Sequence, residues 1–529
     1  MTTLRQLLLE RSDDERPGLA TRERTWSWAE HVTESTARAG LLRALLDDER
    51  PPHVGVLLDN TAEMAMALSA AALGGHVVVG LNTTRRGDSL RADISTGDCQ
   101  VVLTDANHAD LLEGLDLGGV RVIRVDSDEW AERVAEAGTS PGFEAQAPGR
   151  LRTSTSASLF MLIFTSGTSG EPKAVRVTHE KVSFPGLALS EMLSITRDDV
   201  LYVSMPLFHS NAVMSGYALA LATGATLALA ERFSASGFLD DVRHFGATYM
   251  NYVGKPLSYI LATPELGDDA DNPLRIAFGN EANEKDIAAF AARFGCEVRD
   301  GFGSTENAVI ISRVEGTPAG SLGRPMEGVK VLDRGTGRVC PPAVIGPDGR
   351  VSNLEDCVGE FVNVDGAGQF AGYYNDEAAT AERMRDGMYW SGDLGYLDPD
   401  GFAYYAGRTG DWLRVDGENL AAAPVERILL RHPDVSRVAV YAVADDRVGD
   451  QLVAALVLRP DATLDPASLE EFLAGQPDLG PKQWPRHVRI ATTLPQTATN
   501  KVLKRELVAE GLDVTDPVWT RSERGTAYS

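Results

Sequence analysis

The stretch Phe160–Lys173, FMLIFTSGTSGEPK, is an apolar strand-like run that breaks into hydroxyl and glycine residues and ends on a lysine. Glycines let backbone N–H groups approach phosphate oxygens, the hydroxyls donate further hydrogen bonds, and the lysine adds positive charge. An ordinary surface turn is an equally open interpretation, since single glycine-rich loops are common. The stretch lacks the Gly-Lys-Ser/Thr ending of the P-loop, so its interpretation depends on the sequence around it.

Short apolar strands alternate with helical segments on both sides of this stretch. The predicted strands are Val54–Leu58, His76–Gly80, Cys99–Thr104, Val200–Met205, Ala225–Ala228, Tyr249–Val253 and Leu274–Phe278. The predicted helices are Ala62–Leu73, Asp88–Ser95, Asn211–Thr223 and Ser236–His244. This alternation predicts parallel sheets with helices on both faces.

Beyond about Gly359 the pattern changes to strands and tight turns. Gly387–Trp390 and Phe402–Tyr405 flank the Asp-Pro-Asp-Gly sequence at 398–401, which predicts a β-hairpin. A small α+β segment follows, and we place the domain boundary at Arg408–Asp411, between domains 1–409 and 410–529. Its predicted elements are helices Pro424–His432 and Leu469–Ala474 and strands Val435–Val443 and Leu452–Leu458, with Trp484–Ile490 leading to the last motif.

Composition narrows the range of partners. The 529 residues carry a net charge of −26, which argues against nucleic acid and against anionic membranes. The longest apolar stretch, Gly216–Ala230, is too short and too weakly apolar to span a bilayer, and the N-terminus lacks a secretory apolar core. Four scattered cysteines are expected to be reduced structural thiols in a cytoplasmic protein: Cys99, Cys296, Cys340 and Cys357.

Four further motifs follow the first in chain order. They are Gly301–Glu306 (GFGSTE), Trp390–Gly395 (WSGDLG), Gly407–Asn419 (GRTGDWLRVDGEN) and Pro495–Arg505 (PQTATNKVLKR). Each alone is compatible with a plain turn or a solvated lysine. Together with Phe160–Lys173, and in this order, they resemble the adenylate-forming superfamily of acyl-CoA synthetases, peptide-synthetase adenylation domains and luciferases.

The resemblance runs from about Trp26 to Leu507, nearly the whole chain. Within the superfamily the chain is most similar to bacterial fatty-acyl-CoA synthetases and transport-type very-long-chain acyl-CoA ligases. The residues behind this narrower likeness include 251–255 (NYVGK) and 279–281 (GNE). The implied fold is α/β, with a large N-terminal domain of two doubly wound sheets plus a β-rich subdomain, and a small mobile α+β C-terminal domain.

The resemblance implies a ligase that joins an acid oxyanion to the α-phosphorus of ATP, releases pyrophosphate and then transfers the acyl group to CoA. Glu306 would hold Mg²⁺, which prefers carboxylate and phosphate oxygens. Thr305 would bond the α-phosphate, and Asp393 and Arg408 would contact the ribose. The other implied nucleotide-binding residues are Thr165, Ser166, Gly167, Thr168, Ser169, Lys173, Asn280, Glu281, Phe302, Gly303 and Ser304.

Lys501 would bridge the attacking oxyanion and the α-phosphate, where negative charge builds up in the transition state. Because this lysine lies in the small domain, that domain would have to rotate about a hinge at Gly410 and Asp411. A second rotation would present Gly417 and its neighbours to the thiol acceptor.

The resemblance places the acid pocket near His209, Tyr252, Val253, Gly301 and Asn307. His209, after Met205-Pro206-Leu207-Phe208, would act as a gate beside the carboxylate, or else be a packed aromatic–histidine pair. Asn307 stands where long-chain ligases commonly carry small residues, and a buried amide needs partners. The sequence therefore also allows a smaller, aromatic or polar acid.

Other functions stay open at this stage. A diazotase-like relative would adenylate nitrite and pass it to an aryl amine, since nitrite also presents an anionic oxygen. A stand-alone aryl- or amino-acid adenylating enzyme and a non-catalytic nucleotide sensor are further alternatives, although a sensor would not need Lys501. A homodimer is also expected.

Overall fold

The computed structural model describes most of the chain. The described residues are 2–139, 154–165, 172–347, 349–408, 412–415, 418–445, 449–476, 479, 483–496, 502–522 and 525–529. They form two compact units. The larger unit comprises Met1–Asp300, Ser304–Asn307 and Gln369–Ala381, and the smaller unit comprises Gly301–Gly303, Ala308–Gly368 and Glu382–Ser529.

The first sheet of the larger unit has six strands. Their spatial order is Arg121–Arg124, Val101–Thr104, His53–Leu57, Val77–Gly80, Leu159–Thr165 and Lys173–Thr178. All neighbours pair in parallel except the last two, which are antiparallel. The opening motif therefore begins on the fifth strand and ends on the sixth, so Thr165 faces Lys173 in register.

The second sheet of the larger unit is also mostly parallel. Its order is Glu297–Phe302, Ile276–Asn280, Tyr249–Val253, Val200–Val203, Thr226–Leu229, Pro17–Ala20 and Thr25–Ser27. From Ile276–Asn280 to Pro17–Ala20, neighbouring strands pair in parallel. The edge strand Thr25–Ser27 pairs antiparallel with Pro17–Ala20. Gly301 and Phe302, the last residues of the first strand named, belong to the smaller unit.

Helices cover these sheets, and local sequence sets where several of them begin and end. Ser27 and Glu30 form a capping box at the start of Trp28–Leu45, and Gly75 ends Ala62–Gly74 with φ 69°. The other helices of this unit are Leu4–Leu9, Gly87–Thr96, Ala109–Leu111, Asp128–Thr139, His179–Met192, Ser210–Ala212, Val213–Tyr217, Ala218–Thr223, Phe238–Phe245, Pro256–Leu261 and Glu284–Phe294. Glu377–Arg383 begins in this unit.

The smaller unit contains two antiparallel-rich sheets. One consists of Val329–Leu332, Gly359–Asn363, Met388–Leu397 and Met384–Arg385, with Ala403–Arg408 beside Met388–Leu397. The other consists of Glu418–Ala421, Trp412–Val415, Gly449–Leu458, His487–Ile490 and Val518–Thr520, with Val435–Asp445 beside Gly449–Leu458. Helices Leu354–Cys357, Ala422–Leu429, Pro466–Ala474 and Lys504–Glu510 complete the unit, together with strands Ile311–Ser312 and Arg324–Pro325.

The predicted α/β fold class is confirmed, with bounds that differ by a few residues. The largest local difference lies in the predicted helix Asn211–Thr223, which contains a π-turn at Val213–Tyr217. The Tyr249 hydroxyl donates to the Ser215 carbonyl at 2.7 Å, which satisfies a carbonyl displaced from the regular ladder. No periodicity in the sequence predicts such a turn.

The structure also gives the state of the cysteines and the length of the apolar helices. The four cysteines are free, and burial raises the pKa of Cys340 and Cys357 to about 11. Among the described residues, no helix is long and apolar enough to cross a membrane.

Candidate nucleotide and acid site

The turn Ser304–Asn307 of the larger unit carries the predicted α-phosphate and magnesium residues. The Thr305 hydroxyl lies 3.0 Å from the Ser210 hydroxyl, and the backbone N–H of Asn307 donates to the Ser304 carbonyl at 3.0 Å. Asn307 has a φ of 54°, in the left-handed region that asparagine tolerates better than most residues. The turn is therefore held both by its own backbone and by a helix distant in sequence.

Glu306 is the carboxylate at the centre of this turn. Its residue is 9% exposed, and one carboxylate oxygen accepts a hydrogen bond from the Tyr373 hydroxyl at 2.7 Å. A bond of this kind, to an ionised acceptor, is stronger than a neutral one. Tyr373 is itself fixed, because its backbone N–H donates to the Thr380 hydroxyl at 2.9 Å.

Lys181 lies beneath the same turn. Its side chain is buried, and its ammonium donates to the Glu306 carbonyl at 2.9 Å. Burial lowers the pKa of Lys181 to about 8, while the Glu306 carboxylate acts in the opposite direction. The turn thus has a cationic partner on its backbone and a phenolic partner on its carboxylate.

Asn307 has a partner for its amide group. The amide nitrogen donates to the Gln369 side-chain oxygen, within the larger unit. Pairing removes the cost that an unpaired amide would impose on an apolar pocket. The physical argument against a long apolar acid therefore weakens.

The two ends of the predicted phosphate loop meet on adjacent strands. The Thr165 hydroxyl donates to the Lys173 carbonyl at 3.4 Å, and the Lys173 ammonium lies 5.3 Å from the centre of the Tyr373 ring. Tyr373 therefore contacts both the lysine of the loop and the carboxylate of the turn. Six loop residues, 166–171, lie outside the described part of the chain, and they include the predicted phosphate-binding residues Ser166, Gly167, Thr168 and Ser169.

Asn280 ends the strand Ile276–Asn280 of the second sheet, and Glu281 follows it. The Asn280 carbonyl accepts from the Gly254 N–H at 2.8 Å, and Glu281 has a φ of 68°. A Cβ at Gly279 would lie 2.2 Å from the Tyr252 carbonyl oxygen, so only glycine fits there. The chain therefore leaves the strand through a tight, conformationally restricted bend.

Tyr252 and Val253 lie on the neighbouring strand. The Tyr252 side chain is fully buried in a hydrophobic cluster, and its hydroxyl donates to Asp300 at 2.9 Å. Val253 pairs in register with Asn280. Asn251, between the flanking Met250 and Tyr252, instead donates to the Asn211 side chain at 2.6 Å, so the two faces of this strand differ in polarity.

His209 comes directly before the helix Ser210–Ala212. Its ring centroid lies 4.6 Å from that of Phe208, and its backbone N–H donates to the Pro206 carbonyl at 2.9 Å. Both the gate and the packed aromatic–histidine pair are compatible with this contact. Ser210 lies between His209 and Asn211 in the sequence. The Ser210 hydroxyl lies 3.0 Å from the Thr305 hydroxyl, so His209 is next to a residue that contacts the turn.

The smaller unit carries the predicted ribose residues on one hairpin. Asp393 and Arg408 face each other in register, and the Arg408 Nε donates to the Asp393 carboxylate at 3.1 Å. Asp393 is 5% exposed, and its backbone N–H donates to the Ser391 hydroxyl at 3.1 Å. The carboxylate is thus oriented by its own strand and by the strand beside it.

Phe302 also lies in the smaller unit, at the end of its strand. Its ring is flanked by Phe361 at 6.0 Å and Tyr405 at 5.9 Å between centroids. Gly301 pairs with Ser312, and a Cβ at Gly303 would meet no atom within 4 Å. The open space is therefore beside the residue that follows Phe302, and an aromatic ring at this position can offer a face to a planar base.

The remaining predicted residues lie outside the described part of the chain. They are the adenylation lysine Lys501, the hinge residues Gly410 and Asp411, and Gly417. Next to the lysine, Gln496 and Val502 form an isolated β-bridge. The roles of these four residues stay predictions.

Glu306 fits a magnesium ion that is shared with a phosphate ligand. Among the described residues, no group of three or more His, Cys, Asp or Glu side chains is arranged to hold a metal. Mg²⁺ is usually held by one or two carboxylates together with substrate phosphates and water, and not by a cage of protein ligands. Glu306, a mostly buried carboxylate beside the Thr305 hydroxyl, matches that donor set.

Comparison with known families identifies the fold and the enzyme class. The profile of the AMP-binding enzyme family matches residues 10–374, and that of the AMP-binding enzyme C-terminal domain matches residues 424–501. The chain belongs to the AMP-binding enzyme family. It is an ATP-dependent, AMP-forming ligase, and the predicted superfamily is confirmed.

Two curated relatives of this AMP-binding enzyme match over nearly their whole length. A medium/long-chain-fatty-acid–CoA ligase of Mycobacterium marinum is 53% identical over 98% of this chain and 98% of its own. A steroid-22-oyl-CoA synthetase of Rhodococcus jostii is 47% identical over 99% of this chain and 94% of its own. The predicted acyl-CoA synthetase type is therefore supported by both.

Several solved structures share the fold of this chain. The o-succinylbenzoate CoA synthetase of Bacillus subtilis, in complex with its acyl-adenylate, has a TM-score of 0.78 at 26% identity and covers 96% of this chain and 98% of its own. ATP-bound MatB of Rhodopseudomonas palustris has a TM-score of 0.82 at 22% identity, over 96% and 99% of the two chains. The second likeness concerns the fold alone.

Sequence reasoning missed the residues that hold the turn Ser304–Asn307. They are Lys181, Ser210, Gln369 and Tyr373, and none lies in a motif singled out from the sequence. Tyr373 carried a weak signal, since it follows a glycine in an aromatic pair at 372–374 (GYY). Lys181 carried none, because a lysine in the first turn of a helix is usually solvated.

Proposed function

We propose that this AMP-forming ligase activates a lipophilic carboxylic acid, of the medium- or long-chain fatty-acid class, and transfers it to CoA. The observation that carries the proposal is the likeness to a fatty-acid–CoA ligase at 53% identity over 98% of both chains. The Asn307–Gln369 pair supports it, since the amide that argued for a polar acid has its partner inside the protein.

The proposed reaction has two steps. A carboxylate oxygen attacks the α-phosphorus of ATP, the bond from that phosphorus to the bridging oxygen breaks, and pyrophosphate leaves. The thiol of CoA then attacks the acyl carbonyl, the bond from that carbonyl carbon to the AMP oxygen breaks, and the thiol proton passes to solvent. AMP therefore leaves with one oxygen that came from the acid.

In this proposal the residues of the turn and the loop act on the phosphates. Thr165–Lys173 holds the β- and γ-phosphates, Thr305 donates to the α-phosphate, and Glu306 is the protein ligand of Mg²⁺. Bound Mg²⁺ supplies charge neutralisation on the phosphate oxygens. Tyr373 orients the Glu306 carboxylate, and Lys501 stabilises the charge that develops on the attacked phosphate.

In the same proposal Asp393 accepts hydrogen bonds from the ribose hydroxyls, and Arg408 fixes the orientation of that carboxylate. Phe302 packs against adenine, with Asn280 and Glu281 at its edge. The acid lies near His209 and Val253. The cytoplasmic location, the homodimer and the domain boundary at Arg408–Asp411 stay predictions.

A pyrophosphate-release screen with and without CoA tests the substrate class. Its arms are acetate, octanoate, palmitate, a steroid C22 acid, benzoate, and nitrite with an aryl amine. We expect release above background with octanoate or palmitate, and formation of the corresponding acyl-CoA when CoA is added. The steroid acid is included because of the Rhodococcus relative.

Two outcomes would overturn the proposal. Release with nitrite and the aryl amine, and with none of the carboxylic acids, would make the diazotase-like alternative correct. Release with benzoate or acetate alone would contradict the lipophilic class while leaving the ligase class intact. None of the relatives reported above is named for nitrite.

A further inference from the structure

Lys181 is a buried cation on a helix that no nucleotide motif includes. It is the third residue of His179–Met192, and its backbone N–H donates to the Thr178 hydroxyl, which caps the helix, at 3.2 Å. Its side chain is only 1% exposed. The cap fixes the backbone from which the lysine side chain extends.

The ammonium of Lys181 reaches the turn that carries the proposed metal ligand. It donates to the Glu306 carbonyl at 2.9 Å, across a separation of 125 residues. The acceptor is the backbone of the turn, whereas the Glu306 carboxylate accepts from Tyr373 at 2.7 Å. Lysine and tyrosine thus hold the same residue at two different atoms.

Burying an ammonium group is costly, and an apolar side chain of the same length would fill this volume without that cost. Removing one partner of a buried charged interaction lowers the stability of the fold by more than the intact pair adds to it, because the remaining charge is left buried without a partner. The Lys181 ammonium therefore needs its acceptor. A hydrogen bond from a charged donor is also stronger than a neutral one. The interaction is therefore well suited to fix the position of a backbone carbonyl.

We propose that Lys181 is a positioning residue that fixes the backbone of Glu306, so that the Glu306 carboxylate is preformed for Mg²⁺. This inference rests on the proposed magnesium role of Glu306. It assigns Lys181 no contact with ATP, with the acid or with the reacting atoms. Its effect is transmitted through the Glu306 backbone.

Lys181→Met tests the proposal, because methionine keeps much of the length and loses the charge and the donor. The matched control is Ser183→Ala on the same helix, which removes a partly buried hydrogen bond of 2.7 Å to the Thr2 carbonyl. Binding of a non-hydrolysable ATP analogue is measured for each protein by calorimetry, once in EDTA and once across a magnesium titration. Thermal unfolding is recorded in parallel.

We expect binding in EDTA to be the same in Lys181→Met, Ser183→Ala and the unchanged protein. We expect the magnesium-dependent gain in affinity to fall about tenfold in Lys181→Met alone, because the substitution removes one hydrogen bond from a charged donor. A similar loss in Ser183→Ala, or an undiminished gain in Lys181→Met, would overturn the inference. A merely structural role would lower the unfolding temperature without changing the magnesium dependence.

Two further arms keep the test decisive. If Lys181→Met does not fold, Lys181→Arg, which keeps a cationic donor, is measured in its place; we expect it to retain most of the magnesium-dependent gain, and its loss would contradict the proposal. If the unchanged protein shows no magnesium-dependent gain at all, the magnesium role of Glu306 fails, and with it the basis of this inference.

Discussion

The turn Ser304–Asn307 and the hairpin that carries Asp393 each orient a carboxylate, but with different kinds of partner. On the hairpin, Asp393 and Arg408 are 15 residues apart and face each other on adjacent strands. At the turn, the partners of Glu306 are Tyr373, 67 residues away, and Lys181, 125 residues away. One carboxylate is oriented by local structure and the other by the tertiary fold.

This difference has a consequence for mutations. A local pair depends on its own hairpin, so changes elsewhere are expected to leave it intact. A turn held by distant residues is expected to respond to substitutions that touch neither the nucleotide nor the acid.

Replacing Glu306 by Gln is expected to have the largest effect, because it removes the charge that we assign to the magnesium site. We expect kcat/KM for adenylation to fall about 100- to 1000-fold, the scale of losing one electrostatic contact to the transition state. ATP–pyrophosphate exchange at several magnesium concentrations measures it. The control is Glu315→Gln, at an exposed carboxylate nine residues on, and equal rates in the two variants would refute the assignment.

Replacing Asp393 by Ala is expected to weaken ATP binding with less effect on the chemical step. Loss of hydrogen bonds to a charged acceptor corresponds to about 1.5–3 kcal/mol, or roughly a 10- to 150-fold higher KM for ATP. Steady-state kinetics with ATP varied at saturating acid provides the measurement. An unchanged KM for ATP would show that the hairpin does not bind the ribose.

Tyr373→Phe tests whether the turn depends on its distant partners. It removes the hydrogen bond to Glu306, and we expect kcat to fall about tenfold, since the acceptor is a mostly buried carboxylate. The adjacent Tyr374→Phe is the control, because Tyr374 donates instead to Asp98, at 2.8 Å. If both variants lose activity equally, the effect comes from the segment and not from the bond to Glu306.

The smallest effect is expected for Arg408→Gln on the hairpin. The arginine side chain is 41% exposed, and exposed ion pairs contribute about 0–1 kcal/mol because water screens them. We expect the KM for ATP to rise less than about fivefold. Salt titration of the KM separates screening from direct contact, and a loss as large as that of Asp393→Ala would mean that Arg408 itself binds the nucleotide.

The same contrast explains what could be predicted from the sequence. Asp393 and Arg408 lie in glycine-punctuated motifs with hairpin signals, and the fold class follows from alternating apolar strands and helices. The π-turn at Val213–Tyr217 and the contacts of Lys181 and Tyr373 could not be predicted in this way. They depend on tertiary packing between segments 34 to 125 residues apart, which leaves no local pattern.

Asn307 shows how a local observation can raise a question that depends on residues distant in sequence. Its amide does need a partner, but Gln369, 62 residues away, provides it within the protein. The sequence therefore raised the possibility of a polar acid substrate. In the structure the Asn307 amide donates to Gln369, so it does not need a polar substrate as its hydrogen-bond partner. The substrate screen decides between the two.

Transfer of an isotopic label distinguishes adenylation of the acid from other routes of activation. Octanoate or palmitate labelled with ¹⁸O in its carboxylate is incubated with the enzyme, ATP, magnesium and CoA, and the products are analysed by mass spectrometry. Adenylation of the acid predicts one ¹⁸O atom in AMP, none in pyrophosphate, and one retained in the acyl-CoA. Formation of AMP without the label, or of labelled inorganic phosphate together with ADP, would contradict an acyl-adenylate pathway.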